Sequence, residues 1–177
     1  MNNIILRGII NNIQYSHTID DVEFYSATIV NNNNGHESIN SIKFKKLSNP
    51  YKNGDYVEIV GNIRTYSEKV GTKNKVHVYV FTYFDSPYID NEETNIAEID
   101  GRICTMNEIR VTKSGKENLH FILANNIYSN GLKLNSYIPC VAWGKIAKQL
   151  SSLPVNTQLE LYGELQSREY KKILDNK

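Results

Sequence analysis

Two distant stretches of this chain carry the same pattern, and that repeat limits the architecture more than any other feature. Asp55-Tyr-Val-Glu-Ile-Val-Gly-Asn-Ile-Arg-Thr65 aligns with Thr157-Gln-Leu-Glu-Leu-Tyr-Gly-Glu-Leu-Gln-Ser167. Val57, Ile59 and Ile63 correspond to Leu159, Leu161 and Leu165, and Gly61 to Gly163. Earlier in each half, Leu6-Arg7-Gly8-Ile9 matches Asp100-Gly101-Arg102-Ile103 around its glycine. Apolar and polar residues alternate in these segments, the period of a half-buried strand. A glycine inside such a strand marks a bend or bulge at a barrel corner. The 177 residues therefore read as two copies of one small β unit.

Alternating runs predict strands near 3–14, 22–31, 38–46, 55–67 and 74–84, and a second set near 95–104, 107–112, 117–126, 136–143 and 157–167. One helix is expected, over Lys145 to Leu153, where Ile146, Leu150 and Leu153 recur at helical spacing and Pro154 follows as a stop. The first half has the tight Ser48–Gly54 loop in its place. A five-stranded Greek-key barrel with a helix between its third and fourth strands is the OB-fold plan. The expected fold is all-β: two tandem OB-folds, 1–87 (divergent) and 96–177, joined by an acidic linker over 88–95.

Charge nearly cancels, with 20 Lys and Arg against 19 Asp and Glu. That excludes a polybasic tail binder and an acidic scaffold, but not a local basic groove. No apolar run is long enough to span a membrane, and the N-terminus lacks a secretory pattern. The two cysteines, Cys104 and Cys140, are far apart, so neither a disulfide framework nor a zinc site is expected. The four histidines are isolated, so no metal or cofactor is implied, and the cytoplasm is the expected compartment. The abundant asparagine reads as coding bias. Phosphate-cradling, dinucleotide, metalloprotease and hydrolase signatures are missing, so no catalytic residue is assigned; Lys113-Ser-Gly-Lys116 lacks the first glycine and the hydroxyl of a phosphate loop.

The strand Tyr137–Trp143 carries the candidate chemistry. Ile138, Cys140 and Ala142 share the face suited to a barrel interior, and Tyr137, Pro139, Val141 and Trp143 share the other. Lys145 and Lys148 follow, and Gln166–Lys172 forms a second basic and aromatic segment. Aromatics interleaved with cations on a β surface suit single-stranded nucleic acid, because bases stack on rings while phosphates meet charge. Lys145 sits at the helix end where a cation is disfavoured, which a nearby phosphate would explain. Arg110, Lys113 and Lys116 lie on a turn-rich segment, where solvated charge competes with phosphate contact. Trp143 as a half-buried core residue is the plain alternative.

In the first half, Lys43 and Lys45 face out opposite Phe44, so phosphate contact is expected there more than base contact. The aromatic face of Val76–Tyr83 could stack bases, but packing against a barrel or subunit is preferred. Tyr66, near the tip of a lysine-rich hairpin, is the better ligand candidate.

The second half resembles the bacterial single-stranded-DNA-binding protein family and its primosomal relatives. The resemblance runs through Gly101-Arg-Ile, Asn107–Gly115, Phe121-Ile-Leu-Ala124, Ile138–Ala147 and Gly163–Tyr170. It implies base stacking at Tyr137, Trp143 and Tyr170, and phosphate contacts at Arg110, Lys145 and Arg168. It also implies a part in DNA replication, recombination or repair, and a homodimer that presents four OB-folds. The family barrel continues past Ser-Arg-Glu-Tyr170 into a closing fifth strand. The expectation here is that the second barrel lacks it, either because the chain is cut short or because a neighbouring domain or subunit supplies it. Stacking surfaces do not distinguish sugars, so RNA stays open beside DNA. A protein-interaction adaptor of a primosome or mobile-element replication complex is the second reading.

Overall fold

The computed structural model describes residues 1–33, 35–46, 49–90 and 92–167. Ten strands and one helix follow in order: β1 (Asn2–Ile19), β2 (Val22–Asn33), β3 (His36–Lys45), β4 (Tyr56–Val70), β5 (Lys73–Pro87), β6 (Thr94–Met106), β7 (Arg110–Val111), β8 (Glu117–Ser129), β9 (Leu132–Trp143), α1 (Gly144–Ser151) and β10 (Gln158–Gly163). The hairpins run longer than the alternation predicts. Asp20 and Asp21 both take positive φ, as do Asn130 and Gly131, and such two-residue turns match the strand twist so that pairing continues to the tip.

The first unit is a closed barrel. β1 pairs with both β2 and β4, β2 pairs with β3, and β5 lies antiparallel to β4 and parallel to β3. That cyclic order is the OB-fold. The second unit repeats it: β8 bridges β6 and β9, and β10 takes the other edge of β6. The chain is thus all-β, with two OB-folds in tandem. Among the described residues no strand pairs with the outer edges of β9 and β10. The corner glycines are required by close approach. A Cβ on Gly8 would come within 2.3 Å of the Val30 carbonyl oxygen, and on Gly101 within 2.5 Å of that of Ala124.

Residues of alternate parity fill each interior. Ile4, Leu6, Ile29, Ile42, Ile59 and Val80 are fully buried in the first unit, as are Leu119 and Leu123 in the second. The helix differs from its expected face. It buries Ala147 and Leu150, while Ile146 is 59% exposed, because the fold presents the 147–150 edge to the barrel. It ends at Ser151, short of Leu153.

The two barrels share one sheet. β1 and β6 pair antiparallel from Asn2↔Ile99 to Arg7↔Thr94. Buried asparagines line this seam in two matching sets. The Asn2 side chain donates to the Ile63 carbonyl and accepts from the Ile63 N–H, both at 2.7 Å. Asn95 makes the same pair with Leu165, at 2.7 and 2.8 Å. Asn31 donates to the Thr94 carbonyl at 2.9 Å and Asn125 to that of Met1 at 3.1 Å. The register that aligns Gly8 with Gly101 also aligns Asn2 with Asn95. At these positions the asparagines satisfy buried backbone groups where the barrels meet, which corrects their reading as coding bias.

Candidate nucleic-acid interface

β9 delivers Trp143 to a cleft because strand parity puts Ile138 and Ala142 inside and leaves Tyr137 and Trp143 outside, 51% and 45% exposed. Cys140 lies on the inner side, and burial pushes its thiol up to about 12. Gly144 follows at φ 58° and turns the chain into α1. The helix start has no side-chain cap and no acid in its first turn, so its unpaired N–H groups and Lys145 leave this end positive.

Lys116, on the turn before β8, joins Lys145 and Lys148 around Trp143 in a cleft of about 870 Å³. Lys148 pairs with Glu117 at 3.4 Å on its rim. Gln166 and His36 complete the wall, and His36 comes from the first barrel. The cleft combines one exposed indole with three cations, one from the turn before β8 and two from α1. Arg110 and Lys113 are exposed on β7 and the following turn, outside the cleft lining. Tyr137 also lies outside it, and its backbone N–H donates to Thr65 Oγ1 at 2.9 Å. Arg168 and Tyr170 lie outside the described residues.

A second groove, of about 240 Å³, runs over the outside of the first barrel. Lys43 and Tyr66 meet there with His77 and Tyr79. The Lys43 ammonium sits 4.4 Å from the Tyr79 ring centroid and 4.9 Å from that of Tyr66. Tyr66 and His77 stack at 4.7 Å, and His77 Nε2 lies 2.6 Å from Glu68. The Arg64 guanidinium covers Phe81 at 4.0 Å, and burial lowers its pKa. Lys45 is exposed at the end of β3, outside this groove.

Arg64 escaped the sequence reading, which weighed base stacking for His77 and Tyr79 but preferred packing for the β5 aromatics. The missing signal was cross-strand register. Arg64 opposes Tyr79 and Tyr66 opposes His77, so these residues share one outer face while Ile63 and Val80 share the inner one. His36 was missed because its place in the cleft depends on how the barrels meet.

Among the described residues no cluster of His, Cys, Asp and Glu could hold a metal ion, and no helix is long and apolar enough to cross a membrane. Residues 94–177 match the single-strand binding protein family model. No curated protein matches the chain. Among solved structures, the wild-type single-stranded DNA binding protein from Thermus aquaticus superposes with a TM-score of 0.75 at 18% identity, covering 94% of this chain and 85% of that one. A deletion mutant of the same Thermus aquaticus protein superposes with a TM-score of 0.76 at 15% identity, covering 94% and 86%. These likenesses span both barrels and concern the fold, whereas the family match lies in the second unit, where Trp143 and its lysines sit. In sequence, the second unit is thus similar to the single-strand binding protein family over residues 94–177.

Proposed function

We propose that the chain binds single-stranded DNA with little sequence preference, by base stacking and phosphate contact, in the service of replication, recombination or repair. The observation that carries this is the exposed Trp143 in a cleft with Lys116, Lys145 and Lys148. A base stacked on an aromatic side chain contributes about 1–3 kcal/mol whatever its identity, and lysines near it meet the backbone. The first-barrel groove, with Lys43 among Tyr66, His77 and Tyr79, extends the same chemistry to the other half.

Trp143 is the single tryptophan, so intrinsic fluorescence reports on the cleft directly. Titration with oligo-dT is expected to quench it. Three phosphate contacts give a salt slope near −2, so affinity should fall about 20-fold between 50 and 200 mM salt. Trp143→Ala, followed by anisotropy of a labelled oligomer, should bind about 5- to 150-fold more weakly. Absence of binding at low salt would overturn the proposal and bring forward the adaptor reading.

A homodimer presenting four barrels belongs to the same reading. An apolar row crosses the outer face of the shared sheet: Phe84 opposes Val60, Val60 opposes Ile5, and Ile5 opposes Ile96. A second copy would cover that row. Light scattering should give twice the chain mass, falling to one chain mass in Ile96→Glu; a wild-type monomer would refute the pairing.

A further inference from the structure

His36 opens β3 of the first barrel, yet it stands in the wall of the cleft that holds Trp143 of the second. Its hairpin is anchored there by polar contacts that cross between the barrels. Asn33 donates to Glu164 Oε1 at 2.7 Å, Asn40 donates to the Leu165 carbonyl at 3.0 Å, and the Ser167 hydroxyl donates to the Ile39 carbonyl. The other charged groups lining this cleft are Lys116, Lys145, Lys148 and Glu117, and Lys148 already engages Glu117. Glu37 follows His36 on its own strand, and Glu164 is occupied by Asn33. Among the described residues no hydrogen bond or ion pair holds the His36 side chain in place.

We propose that His36 is a phosphate contact of the second barrel's cleft, so that a bound strand is gripped by both barrels and takes up a proton as it binds. This rests on the single-stranded DNA reading above. A phosphate held among the lysines of the cleft favours the imidazolium, which can donate from both ring nitrogens. Histidine is the side chain whose charge ordinarily changes near neutral pH. Proton uptake is then linked to binding, and affinity rises as pH falls.

The test is anisotropy of a labelled oligo-dT with the full chain at pH 6 and pH 8, at one low salt concentration. A phosphate that strengthens imidazole protonation by about one unit makes wild-type binding roughly five- to tenfold tighter at pH 6 than at pH 8. His36→Gln should abolish that difference by weakening binding at pH 6 alone. His36→Lys, with its fixed charge, should bind at pH 8 as wild type does at pH 6. His17→Gln, exposed near the β1–β2 turn and outside both grooves, should keep the wild-type pH dependence. The proposal is overturned if wild-type affinity is equal at both pH values, if His36→Gln retains the dependence, or if His17→Gln removes it; in each case DNA binding itself still stands. No binding at either pH would instead overturn the underlying reading.

Discussion

Asn2→Ala should destabilise the chain far more than a one-residue change near an N-terminus normally would. Its side chain bonds the N–H and the carbonyl of Ile63 at 2.7 Å and donates to Asn125 Oδ1 at 2.8 Å. All of these are buried contacts between residues far apart in sequence. Truncation leaves two backbone groups and one side-chain oxygen unpaired. Each orphaned buried group costs about 1–3 kcal/mol. Water entering from the sheet edge offsets part of this, so a net loss of about 3 kcal/mol is expected. In a chain of this size 1 kcal/mol shifts Tm by about 2–4 °C, which gives a drop of about 6–12 °C. Asn95→Ala orphans the N–H of Leu165, whose carbonyl keeps the bond from Asn40, and should cost about 1 kcal/mol, or about 2–4 °C. Asn135, exposed in the β8–β9 hairpin, is the control, and its alanine variant should stay within about 2 °C of wild type. Thermal unfolding followed by far-UV circular dichroism measures all three. If Asn2→Ala melts with Asn135→Ala, the asparagine seam does not hold the barrels together.

Salt dependence separates contacts within the Trp143 cleft. Lys145→Gln should lower the salt slope of oligo-dT binding by about 0.7, the share of one phosphate on a single strand, with Trp143 quenching retained; an unchanged slope would remove Lys145 from the phosphate path. On the first barrel, Tyr79→Ala removes the ring beneath Lys43, and long oligomers should bind about 5- to 150-fold more weakly while short ones confined to the Trp143 cleft are unaffected. Equal effects on both lengths, read by anisotropy, would contradict two separate platforms. Cys140 should resist thiol reagents at pH 8 in the native protein and react once unfolded. Because burial raises its thiol to about 12, the unfolded chain loses that proton first as pH climbs past about 8.5. Stability should therefore fall above pH 9 in wild type and fall less in Cys140→Ala, as followed by urea unfolding.

The barrel plan was legible because it depends on local periodicity. Val57, Ile59 and Ile63 alternate with polar neighbours, and the same spacing in Leu159, Leu161 and Leu165 exposes the repeat. The parity of β9 was legible for the same reason, since Ile138 and Ala142 are too small and apolar to belong beside Tyr137 and Trp143. Features set by contacts between distant segments were not. Nothing around Asn2 distinguishes it from Asn3, because their difference arises only when β4 passes one side of β1 and β6 the other. His36 faces a cleft made by residues that follow it by 79 positions or more (Gly115 is the nearest in sequence). The helix face was misjudged because Ile146 and Ala147 are neighbours and only the barrel decides which turns inward. There the smaller residue fits, and the larger one is left at the surface.

Two barrels in one chain can diverge in ways that two identical subunits cannot. Ile4 and Ala97 pair at the centre of the seam and occupy equivalent places in the two units, so the backbones are related by an approximate two-fold axis. The side chains beyond that centre do not follow it. Ile5 and Val60 on one side correspond to Glu98 and Tyr162 on the other, so the outer face is apolar on one half and acidic and polar on the other. The two grooves diverge in the same manner. One barrel presents an indole with three lysines at a helix start, and its counterpart presents Tyr66, His77 and Tyr79 around Lys43. The asparagine pairs with Ile63 and Leu165 are the part that did not diverge. Constancy there and divergence on the surfaces follow from one cause: the seam must satisfy the same backbone groups twice, whereas no shared demand of that kind fixes the two surfaces.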